Sequence, residues 1–87
     1  MQKEKISKKN QSVERVFKII ETMATEIGPM RLQDISMKSN LPQSTVLRLL
    51  NTLLTYNYVN QNSETLKYSL SMKFCQIGIY NISNTTL

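Results

Sequence analysis

The chain has 87 residues, room for one small domain, and its 40% apolar share is enough for a modest core. It carries 11 Lys and Arg against 6 Asp and Glu, a formal charge of +5, with no histidine and one cysteine, Cys75. That inventory excludes an intrachain disulfide, a cysteine-based metal cluster and any histidine-dependent triad, and the charge suits a nucleic acid or another anionic surface.

Residues 1–11 are polar and hold Lys3, Lys5, Lys8 and Lys9 against Glu4, which reads as a basic flexible tail. No apolar h-region opens the chain, and no apolar run approaches the ~20 residues that cross a bilayer. A cytoplasmic protein without a membrane partner is the expectation. A first helix is predicted from Ser12, a good N-cap with Glu14 in the first turn, to Ile27. Val13, Val16, Phe17, Ile20, Met23, Ala24 and Ile27 form its apolar stripe. Ile19 lies partly off that stripe and is a candidate contact for a partner chain. Gly28-Pro29 ends the helix.

A shorter second helix follows, with Leu32 and Ile35 inward and Asp34 in its first turn. Arg31 precedes it as a poor cap that opposes the helix dipole. It is either without consequence or a phosphate contact. Asn40 suits a left-handed stop, and Ser39-Asn40-Leu41-Pro42 makes a turn into a third helix. Placed at about 100° per residue, Val46, Leu49, Leu50 and Leu53 share one face of that helix. Ser44, Arg48, Asn51 and Thr55 share the opposite face, with Leu47 and Thr52 at its margins. The polar face has a cation, hydroxyls and an amide but no acid, as required of a helix that enters the major groove.

Asn57 supplies another left-handed stop. Tyr58-Val59-Asn60-Gln61 and Leu66-Lys67-Tyr68-Ser69-Leu70 read as two strands around the polar turn Asn62-Ser63-Glu64-Thr65. Leu66, Tyr68 and Leu70 are predicted on the buried face. Lys67 is the wing's one cation. Tyr56, Tyr58 and Tyr68 are hinge and core aromatics. Ser71 can cap a last helix with Met72, Cys75, Ile79 and Ile82 in line and Phe74 off it, and Cys75 reads as a small buried hydrophobe. A helix leaving a wing for no visible core is expected to lead into a further domain.

The predicted architecture is mainly α with a small β-hairpin: a winged helix-turn-helix with a three-helix core, a wing and the start of a linker helix. Its parts are the tail 1–11, the domain 12–70 and the linker helix 71–87.

The chain from Ser12 to Gly78 resembles the DNA-binding domain of the IclR family of bacterial transcriptional regulators. The resemblance is carried by Gln11-Ser12-Val13-Glu14-Arg15, by Leu32-Gln33-Asp34-Ile35 and above all by Asn40-Leu41-Pro42-Gln43-Ser44-Thr45 with Arg48-Leu49-Leu50 and Leu53. Asn57-Tyr58-Val59, Tyr68-Ser69-Leu70 and Ile77-Gly78 extend it. Asn40, Asn57 and Ser71 stand where that family usually has glycine. Leu47 replaces a frequent histidine or aromatic ring, and Arg31 the usual hydroxyl cap. The resemblance implies a C-terminal effector-binding domain, which would hold any small-molecule effector.

The resulting expectation is sequence-specific binding of duplex DNA, with helix 43–56 in the major groove and the 58–70 wing on the backbone. Arg48 is the first candidate for base readout, by bidentate bonding to guanine. Ser44 and Thr45 suit phosphate oxygens or local capping, and Gln43 and Asn51 suit adenine or phosphate. Arg31, Leu47 and Lys67 complete the candidate set. A homodimer through helix 12–27 and the linker helix is expected, because one small module buries too little surface for tight specific binding. A winged helix that docks on a protein is the competing class. No catalytic site, cofactor or metal is expected, since there is no nucleophile–base pair or glycine-rich loop.

Overall fold

The computed structural model describes residues 10–85, with side-chain surroundings as far as residue 79. The elements run α1 (Gln11–Ala24), α2 (Leu32–Ser39), α3 (Gln43–Thr55), β1 (Val59–Gln61), β2 (Tyr68–Leu70) and α4 (Met72–Thr85). This is the predicted winged helix, with α1 packed on α2, α2 on α3, α3 on β1 and α1 on β2. The expected tail falls almost wholly outside the described residues.

The core is built from Ile19, Met23, Met30, Ile35, Val46, Leu49, Leu50, Leu53, Val59 and Tyr68. Burying the four residues from α3 stabilises by about 1.5–3 kcal/mol each before chain entropy is counted. Ser39 is buried among them, and its hydroxyl donates to the Ile35 carbonyl at 2.6 Å. A buried polar group so satisfied costs little.

Helix α1 departs from the predicted stripe in two ways. Ile19, expected to contact a partner, is fully buried at the centre of the core, whereas Phe17 is 57% exposed and Val13 is exposed with it. Val16 and Met23 of the predicted stripe do face the core, and the positions of α2 and β2 bring Ile19 in beside them. The helix also begins at Gln11, with Asn10 rather than Ser12 at the N-cap position and no side-chain cap bond there, and ends at Ala24 rather than Ile27. Thr25 turns its hydroxyl back to the Thr22 carbonyl at 2.9 Å, and Gly28 adopts φ 99° before Pro29. The chain leaves the helix because Met30 pairs with Tyr68: the Met30 amide donates at 2.9 Å and the Tyr68 amide returns a bond at 2.7 Å. Ile27 is consequently left exposed.

The turn between α2 and α3 closes as predicted. Asn40 adopts φ 59°, ψ 41°; its amide donates to the Met37 carbonyl, and the Leu41 amide to that of Ser36 at 3.1 Å. Leu41 then packs on the core. Pro42 sits just before α3 in extended backbone, and the Val46 amide closes onto its carbonyl at 3.0 Å.

The wing is an antiparallel pair in the register Val59↔Leu70, Asn60↔Ser69 and Gln61↔Tyr68. Met30 adds an isolated bridge on the other side of Tyr68. The strands are shorter than predicted, and Leu66 is not a buried strand residue. It is 60% exposed and held at φ 66°, a conformation that a branched side chain rarely adopts. Asn62 dictates this geometry: its Oδ1 accepts from the Glu64 and Thr65 amides, both at 2.8 Å, and its carbonyl accepts from Leu66.

Helix α4 also turns its predicted stripe outward. Met72, Cys75 and Ile79 are exposed, while Phe74 from off that line is half-buried against Tyr58, with ring centroids 5.1 Å apart. Cys75 is thus not the buried hydrophobe expected. The helix continues to Thr85, past the Ile82 limit of the predicted pattern.

Candidate nucleic-acid interface

Helix α3 is held by its apolar face, so its opposite face is fixed in orientation and left in solvent. Ser44, Arg48 and Asn51 lie within about 60° of arc and span about 10 Å along the axis. All three are exposed, as are Gln43 and Leu47, the latter by 40%. Thr45 is half-buried at the margin. The major groove is about 12 Å wide and admits one helix, so a face of this length meets several base pairs. No acidic residue lies in α3 to repel phosphate.

The chemistry of the face is narrower than the sequence suggests. Thr52 and Thr55 donate their hydroxyls to the Arg48 and Asn51 carbonyls, at 3.4 and 2.9 Å, so both are engaged by their own helix. Ser44 and Thr45 make no side-chain cap. The N-terminal amides of α3 are therefore open to an external acceptor, and the helix dipole favours an anionic one. Arg48 has no ion pair among the described residues, where the pair present is Lys38–Glu26 at 3.2 Å. Its guanidinium fork is available to a partner.

Arg31 is exposed but does not join the α3 face. It lines a cavity of about 370 Å³ between the start of α2 and the wing, together with Leu32, Gln33, Gln61, Thr65, Leu66 and Tyr68. Helix α2 has no side-chain cap, so Arg31 leaves that helix end open beside the wing. Lys67 is half-buried on the wing itself, its amide bonded to the Thr65 hydroxyl at 3.2 Å. The candidates thus fall into two groups: Gln43, Ser44, Thr45, Leu47, Arg48 and Asn51 on α3, and Arg31 with Lys67 towards the wing. Gln33, Gln61 and Thr65 join the second group through tertiary folding. No local pattern in the sequence marks them.

Beyond the end of α3 lies a further basic residue that sequence reasoning passed over. Lys73 reaches back from α4, with Nζ 2.9 Å from the Tyr56 carbonyl and 4.3 Å from the centroid of the Tyr58 ring. Its distance of 17 residues from Tyr56 hides the pairing from any local pattern.

A winged helix-turn-helix with an acid-free, outward second helix has the architecture of a DNA-binding domain. The family model for the IclR helix-turn-helix domain matches residues 12–63. The chain is 35% identical over 74 residues to the HTH-type transcriptional regulator XynR of Escherichia coli, covering 85% of this chain and 29% of that protein. It is 34% identical over 76 residues to the regulator KdgR of the same organism, covering 87% of this chain and 28% of that one. Among solved structures, an IclR family regulator from Brucella abortus superposes with a TM-score of 0.80 at 22% identity, covering 99% of this chain and 32% of that one. Pseudomonas aeruginosa HmgR does so at 0.76 and 23% identity, covering 84% and 30%. These two likenesses show the fold. The chain belongs to the IclR helix-turn-helix family. DNA binding is the function that membership carries for this helix-turn-helix domain, and the chain spans under a third of the length of the relatives it matches.

Proposed function

We propose that the chain reads duplex DNA by laying α3 in the major groove while the wing rests on the backbone. The supporting observation is the outward face of Ser44, Arg48 and Asn51, fixed by the buried face opposite it. In this reading Arg48 bonds a guanine edge, Asn51 and Gln43 take adenine or phosphate, and Ser44 and Thr45 bind phosphate at the helix start. Leu47 offers an apolar contact, suited to a thymine methyl group. Arg31 and Lys67 meet phosphates on the wing side.

Two copies act together, as a cytoplasmic homodimer with no catalytic function. Val13 and Phe17 on α1, with Met72, Ile77 and Ile79 on α4, are the exposed apolar side chains suited to that contact. Residues 12–70 form the DNA-binding part and α4 the link to an effector-binding domain, where a small-molecule effector would act. A duplex selected from a random pool, titrated beside a random duplex at several salt concentrations, tests the reading. Preference for the selected duplex, with affinity falling steeply as salt rises, is the expected result. Equal, salt-insensitive binding of both would instead favour a protein-docking module.

A further inference from the structure

Helix α3 ends at Thr55, and its exit is closed by two backbone bonds: the Asn57 amide to the Leu54 carbonyl at 3.0 Å and the Tyr58 amide to that of Leu53 at 2.9 Å. Asn57 takes the left-handed conformation that this arrangement needs, at φ 66°. Beyond these bonds come the carbonyls of Tyr56, the C-cap residue, and of Asn57 and Tyr58, which lead from the helix into β1. All three are taken by one short segment, Ser71 to Lys73. Lys73 Nζ donates to Tyr56 at 2.9 Å, the Ser71 hydroxyl to Asn57 at 2.7 Å and the Ser71 amide to Tyr58 at 2.9 Å.

The electrostatics of this arrangement are directed. The carbonyl end of a helix is negative and favours a cation, yet the last turn of α3 has none of its own. Lys73 supplies that charge from the following helix and is further fixed over the Tyr58 ring. Ser71 also accepts from the Lys73 amide at 3.1 Å, so the same hydroxyl that grips Asn57 starts α4. Phe74 against Tyr58 completes the grip. The side chains of α4 after it are exposed through Ile79, so its hold on the domain, among the described residues, lies in this clamp.

We propose that Ser71 and Lys73 are positioning residues for DNA recognition: they fix the exit of α3 relative to α4 and contribute to affinity without touching DNA. The inference rests on α3 being the DNA-reading helix. It gives α4 a mechanical role, because a shift of that helix pulls directly on the C-cap carbonyl of α3 and on the two that follow it.

The test compares the 87-residue chain with its Lys73→Met, Ser71→Ala and Lys73→Arg variants on the duplex that the parent selects from a random pool. Binding is read at several salt concentrations well below each variant's Tm. Lys73→Met and Ser71→Ala are expected to weaken binding by about 3- to 30-fold, the usual reach of residues that act through another element. The slope of log affinity against log salt stays that of the parent, and Lys73→Arg restores most of the loss. The double variant loses less than the product of the two single losses, because both act on one joint. A slope reduced by about 0.9 in Lys73→Met would make Lys73 a phosphate contact and overturn the proposal. Parent-like affinity in both single variants would overturn it too. A parent chain that does not distinguish its selected duplex from random DNA would instead remove the DNA reading beneath it.

Discussion

Truncating Arg48 separates readout from fold in a single substitution. Arg48 is exposed, on the face opposite Val46, Leu49, Leu50 and Leu53, with no ion pair among the described residues. Arg48→Ala therefore removes no packing and replaces one good helix former with another, so stability stays within about 0.5 kcal/mol. A bidentate arginine–guanine contact is worth about 1–3 kcal/mol of discrimination, or roughly 5- to 150-fold per half-site. Two independent half-sites on a dimer would lose about 2–6 kcal/mol, or roughly 30-fold to 10⁴-fold. Fluorescence anisotropy on the selected and random duplexes measures both losses, with urea unfolding to check stability. The selected duplex is expected to lose this much and the random duplex far less. An equal loss on both, with the salt slope lowered by about 0.9, would make Arg48 a phosphate contact and refute base readout. No loss on either would refute the placement of α3.

Lys67→Ala should weaken every duplex alike and lower the salt slope by about 0.9, seen in the same titrations. Ile19→Val should cost about 0.5–1.5 kcal/mol in urea unfolding, because Ile19 is fully buried. Phe17→Ala, on the exposed row, should stay within about 0.5 kcal/mol at concentrations where the chain is monomeric. The reverse order would contradict the rotation of α1. Leu66→Gly relieves a branched side chain held at φ 66°, and should raise stability by about 0.5–1 kcal/mol, or a few degrees in Tm. Asn40→Gly should be near neutral because both residues accept φ 59°, whereas Asn40→Ala should cost about 1 kcal/mol; thermal melts compare the two.

The sequence by itself determined what depends on short-range spacing. Apolar residues at three and four positions apart fix the buried side of α3, and its polar side follows by helical geometry. Asn40 and Asn57 mark left-handed stops through their own backbone preference, and both adopt it. Helix-turn-helix order, the hairpin and the exposed set on α3 were legible for that reason.

Tertiary structure decided whatever depends on what lies across the chain. On α1, Val16 and Met23 of the predicted stripe reach the core, but α2 and β2 brought Ile19 in from off that stripe and left Val13 and Phe17 outside. Met30 pairs with Tyr68, 38 residues later in the numbering, and no local pattern records that bond. The hairpin turn forced Leu66 out of the strand that its alternation implied, because Asn62 gathers the turn's amides on its own oxygen. The grip of Ser71 and Lys73 on the end of α3 belongs to the same class: each carbonyl and its donor meet only once the wing has folded back between them. Periodicity reports which residues can be buried together. Which neighbour covers them, and which polar group answers a helix end, is settled by long-range packing.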